Sequence, residues 1–162
     1  MREQRMLGVL GLGCLLLLSG TNPVSADPPA PVSGSISADN GHFEPIGQIG
    51  NVVFFEHEDT HQLTGDIQGD WLEVGILALD VVTGEGFFMA EGEFSGTILG
   101  QSGDATLRVH GEVRNFFVTD RGHFVITQGE GGLAGVHAWG TYDYIVGVGG
   151  SYTGAAQFDD RR

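Results

Sequence analysis

Residues His57-Glu58-Asp59-Thr60-His61 spell H-E-x-x-H. On a helix this spacing presents two imidazoles to one zinc ion and a glutamate to its bound water. The two histidines would then be separated by about 6 Å of rise. The flanks argue against that helix. Val52-Val53-Phe54-Phe55 upstream favours strand, and Gly65 and Gly69 downstream would stop a helix within a turn. On a strand the two histidines lie about 13 Å apart along the chain, which is expected to be too far to share an ion. The expectation is a charged strand end, with no metal site, no cofactor and no metallopeptidase.

Glu73 is the more interesting carboxylate. It is the only charge between Asp70 and Asp80, inside the run Trp71-Leu72-Glu73-Val74-Gly75-Ile76-Leu77-Ala78-Leu79. Two placements are open. The ordinary one is a rim position reaching water. The other points Glu73 into an apolar interior, where it could act as an acid or base. His57 shares the parity of Phe55 and could line the same space or stand in solvent. Trp71, Trp139, Tyr142 and Tyr144 are amphipathic rings suited to a ligand wall or to plain core filling. Phe88 and Phe94 share the apolar face of their strand. The candidate catalytic residue is therefore Glu73. The candidate ligand wall is His57, Trp71, Phe88, Phe94 and Tyr142.

Short strands must position these groups. No window shows an apolar helical stripe, and most of the 28 glycines lie beyond Gly34. Apolar runs alternate with Gly, Asp, Asn and Thr, the pattern of many antiparallel strands. Strands are expected near 49–58, 63–82 (broken near Gly65 to Gly69), 87–99, 105–113, 116–119, 122–127, 138–146 and 151–158. Turns are expected at Thr83 to Gly86, Gln101 to Gly103 and Asp120 to Gly122. Parity sets Phe88, Ala90, Phe94 and Ile98 against Met89, Glu91, Glu93 and Ser95. It likewise sets Ala105, Leu107, Val109 and Val113 against Thr106, Arg108, His110 and Glu112. The run from Trp71 is apolar at both parities, so its outer face is expected to be covered, by the N-terminal segment or by a second subunit.

Arg2 and Arg5, an apolar run ending Leu15-Leu16-Leu17-Leu18, and Val24-Ser25-Ala26 read as a secretory signal peptide over 1–26. A proline-rich leader is expected over 27–34 and the barrel domain over 35–162. Localisation is thus expected to be extracellular or periplasmic, with no membrane span. Cleavage would remove the single cysteine, Cys14, and with it any disulfide or thiolate chemistry. The net charge of −14 and the absence of lysine exclude nucleic acid as an expected partner.

Three stretches carry a family resemblance: Leu63 to Asp70 (LTGDIQGD), Gly92 to Val113 (GEFSGTILGQSGDATLRVHGEV) and Phe124 to Tyr144 (FVITQGEGGLAGVHAWGTYDY). Together they resemble the allene-oxide-cyclase-like barrel superfamily, in particular its small secreted bacterial branch. The last stretch is similar to a glycine element of plant dirigent proteins. The resemblance implies an all-β fold, a single eight-stranded antiparallel β-barrel. It further implies a hydrophobic small molecule in the lumen, cyclase or isomerase activity without a cofactor, and assembly into dimers or trimers. The competing reading is a non-catalytic extracellular module acting through protein contacts on its outer faces. An open lumen of roughly several hundred Å³ favours the first reading, and a filled one favours the second.

Overall fold

The computed structural model describes residues 28–38 and 42–159. The signal peptide expected over 1–26 lies outside the described residues. Nine strands run in chain order: β1 (Ala30–Ile36), β2 (His42–Ile49), β3 (Val52–Gly65), β4 (Ile67–Asp80), β5 (Gly86–Ile98), β6 (Gln101–Arg114), β7 (Thr119–Thr127), β8 (Val136–Ile145) and β9 (Gly149–Phe158). A short 3-10 turn, Gly131–Leu133, precedes β8.

From β3 to β9 each strand pairs antiparallel with its successor, and β9 pairs with β1. Pairing of Gly34, Ser35 and Ile36 with Gly65, Thr64 and Leu63 closes the ring. Eight strands, β1 and β3 to β9, thus form a closed antiparallel barrel. The extra strand β2 pairs with the other half of β3, from Val52 to Glu58. Closure removes the free edges that an open sheet of this length would expose.

Alternation decides what fills the lumen. Phe88, Ala90, Phe94 and Ile98 of β5, and Ala105, Leu107, Val109 and Val113 of β6, are all buried, as parity requires. On β4 the inward set is Trp71, Glu73, Gly75, Leu77 and Leu79, while Leu72 and Val74 are exposed outside.

Five expectations change. Residues 30–34 are not spacer but barrel: Val32 is buried, and β1 pairs along β9 from Ala30 to Ile36. The break at Gly65 is a tight turn between β3 and β4, so 52–65 is one strand. Gly65 adopts φ +108°, with the Ser33 carbonyl packed against its α-carbon, an approach that a side chain would block. Residues 116–118 form a turn rather than a strand. There Asn115, Phe116 and Phe117 all adopt left-handed φ angles. Asp120 to Gly122 lies inside β7 rather than in a turn, and Gln101 to Gly103 opens β6, the turn falling at Leu99 and Gly100.

A polar cluster inside the barrel

The long strand β3 turns Phe55, His57, Asp59, His61 and Leu63 to one side. Register sets Asp59 directly opposite Glu73 of β4, with His57 opposite Gly75 and His61 opposite Trp71. Glu73 therefore stands between the two imidazoles. His57 Nε2 lies 3.2 Å from Glu73 Oε1, and His61 Nε2 lies 3.8 Å from Glu73 Oε2. His61 Nε2 is also 3.9 Å from Asp59 Oδ2. His57 and Glu73 are only 2% and 3% exposed. The rim placement of Glu73 and the solvated placement of His57 are thus not what the fold adopts.

Neighbours hold both rings. Phe43 of β2 stacks on His57 with centroids 4.0 Å apart, and Phe117 packs edge-on against Phe43. Trp71 stacks against His61, and Tyr144 meets it edge-on. His61 Nδ1 lies 3.4 Å from the Ser37 carbonyl, which also accepts from the Tyr144 hydroxyl. That carbonyl favours the proton on Nδ1 and leaves Nε2 facing the carboxylates.

Burial pushes the His57 pKa down, but the Glu73 hydrogen bond and the charges of Glu73 and Asp59 more than offset it. The net direction is upward. The His42 backbone adds a small push in the same direction. Its geometry falls short of a hydrogen bond, because His57 Nδ1 has no such partner among the described residues.

A second polar pair faces the cluster across the lumen. The Tyr142 hydroxyl of β8 donates to Asp120 Oδ2 of β7 at 2.9 Å, both groups being buried. Gly111 of β6 makes room for them, since a Cβ there would overlap both Asp120 Oδ1 and the phenol oxygen. Burial raises Asp120 to about 7, against the lowering pull of Tyr142. Burial and the adjacent Asp120 carboxyl also push the Tyr142 phenol up.

Between these walls lies a cavity of about 50 Å³. It holds roughly three to five waters' worth of space, far below the several hundred Å³ of an open ligand lumen, so volume taken alone favours the module acting through protein contacts. Glu73, His57, Trp71, Phe88 and Tyr142 all line it. Phe94 does not. It is packed core beside Trp71, its cross-strand partner, and has no exposure.

Contrary to expectation, the two histidines come close enough in space to approach one ion. Ligand atoms of His57, Asp59 and His61 lie within 4.8 Å of one another. Extended chain along β3 separates their backbones, but inward side chains at alternate positions lean together in a closed barrel. Tyr144 lines the cavity as its ring suggested, whereas Trp139 is exposed outside the barrel; sequence reasoning passed over Asp59, His61 and Asp120 as lumen residues. The spacing H-x-D-x-H on the Phe55 parity was the available signal for the first two.

An eight-stranded antiparallel barrel with a polar cluster buried in an apolar lumen is the class these features define. No protein-family model matches the chain, and no curated protein matches it. Among solved structures, the chain is similar to a protein of unknown function from the DUF3224 family of Shewanella oneidensis. The TM-score is 0.65 at 17% identity, over 82% of this chain and all of that one. At that identity the likeness concerns the fold.

Proposed function

We propose that this is an exported barrel that binds a small molecule in its lumen. The occupant is apolar over most of its surface and carries one or two hydrogen-bonding atoms. The observation that carries this reading is the His57–Glu73 pair, buried at the wall of a cavity otherwise lined mainly by apolar and aromatic groups. Burying such a pair is costly against an apolar filling, and convergent polar groups in an apolar cavity favour a binding role. The cavity volume restricts the occupant to a small molecule unless Phe43 and Phe117 move aside. The resemblance to allene-oxide-cyclase-like barrels supports the same site. In that finer reading, the His57–Glu73 pair passes a proton to a carbonyl or epoxide oxygen during cyclisation or isomerisation, with no cofactor.

Cyclohexanone and phenol are suitable probes, with cyclohexane as the non-polar control. In a Trp139→Phe background Trp71 is the sole tryptophan, and its fluorescence should respond saturably to the two polar probes. Glu73→Gln should weaken that response. No saturable response to any probe would favour the alternative, a module working through its outer face. There Leu72, Val74, Phe87 and Met89 form an exposed apolar row, which supports contact with a second copy. Ile76→Asp, in the middle of that row, should convert a dimer or trimer to monomer in sedimentation. A wild type that is already monomeric would remove the assembly proposal.

A further inference from the structure

The inner face of β3 and β4 gathers two carboxylates and two imidazoles. Asp59 and Glu73 are a directly opposed cross-strand pair, an arrangement that is repulsive for like charges. Their side chains are only 9% and 5% exposed. The chain has no lysine. Its three arginines among the described residues, Arg108, Arg114 and Arg121, pair with Glu91, Glu112 and Asp143 outside the barrel. Among the described residues no arginine reaches this wall, a setting that suits a bound cation.

The geometry points to a site for a divalent transition-metal ion of the zinc class, held by His57, Asp59, His61 and Glu73. Bonds of about 2.0–2.1 Å in a tetrahedron set neighbouring donor atoms about 3.3 Å apart. Three of the contacts here are 3.2, 3.8 and 3.9 Å, the two to Glu73 through its different oxygens, and the ligand atoms of His57, Asp59 and His61 lie within 4.8 Å of one another, so closure needs side-chain shifts of up to about 1.5 Å. Two neutral imidazoles and two carboxylates carry two negative charges, which a divalent ion neutralises. Nitrogen donors favour zinc, iron, cobalt or nickel over calcium or magnesium. The outer shell fits as well. The Ser37 carbonyl at His61 Nδ1 is the acceptor that turns the other ring nitrogen toward a metal. Phe43 and Trp71 fix the two ring planes. The proposal stands on these four side chains and does not depend on an organic occupant of the lumen.

The test uses the full chain, stripped with a chelator and titrated with zinc chloride by calorimetry. One ion per chain is expected, bound more tightly than about 1 μM. His61→Gln and His57→Ala should each weaken it by about 100-fold or more. His110→Ala, which breaks the stacked His110–His123 pair outside the barrel, should leave it unchanged. Cobalt gives a readout that does not require the variants to fold. In the wild type it should produce the intense visible bands of a low-coordinate site, and zinc should abolish them. Wild-type binding weaker than about 100 μM would overturn the proposal. So would binding lost in His110→Ala and kept in His61→Gln. Failure here with cyclohexanone still bound would leave the lumen reading standing.

Discussion

Two carboxyl groups stand inside this barrel, and their surroundings differ in one respect. Glu73 on β4 meets two imidazoles, which can take up a proton or share an ion. Asp120 on β7 meets a phenol, which can only donate a hydrogen bond. Both are buried to a similar degree. The partner, more than the burial, decides what charge each wall can carry. The β3–β4 wall is built to hold charge, and the β7–β8 wall is built to hold a proton.

The largest expected effect lies on the β7–β8 wall. Unfolded, Asp120 titrates near 4, whereas folded it titrates at about 7. Between those values the folded chain keeps a proton that the unfolded chain has lost. Stability from this group is therefore full below about pH 4 and declines as pH rises to about 7. The decline is at most about 4 kcal/mol. Denaturant unfolding across this range, wild type against Asp120→Asn, isolates it. If both proteins show the same slope, Asp120 is not held protonated.

Breaking the other wall should cost less. Glu73→Ala removes the partner of His57 and leaves a small cavity. His57 escapes the larger penalty of a lone buried charge by shedding its proton. About 2 kcal/mol is expected in metal-free protein at neutral pH. A gain in stability would mean that relief of the Asp59–Glu73 repulsion dominates.

Tyr142→Phe sharpens the contrast, because it removes a single hydrogen bond and leaves the ring. About 1 kcal/mol should be lost at low pH. The pH decline attributed to Asp120 should extend upward, since the one side chain lowering its pKa is gone. The smallest effect is expected outside, at Arg121→Ala. Its ion pair with Asp143 joins two largely exposed side chains, and no resolvable change in unfolding midpoint should follow.

Much of this arrangement was legible in the sequence, and the reasons for the gaps are physical. β5 and β6 alternate cleanly, so parity named their inward faces. β4 is apolar at both parities, so only register could show that Glu73 points inward. Register also places Asp59 opposite Glu73, and no pattern within a single strand carries that. β1 was hidden because Pro31 and its neighbours read as a spacer, although β1 pairs with β9 along its whole length. Phe116 and Phe117 look like strand residues but sit in a turn that brings Phe117 over the lumen. Asp120-Arg121-Gly122 looks like a turn, yet it lies inside β7, where Asp120 Oδ2 accepts from the Tyr142 hydroxyl.

The central claim is that the barrel interior is a binding site organised around Glu73. Native mass spectrometry of the full chain, purified without chelator, tests it most directly when wild type and Glu73→Gln are run side by side. The wild type should retain a bound species whose mass distinguishes an ion from an organic molecule, and Glu73→Gln should lose it. A bare wild-type mass, or the same adduct held equally by both proteins, would contradict the account.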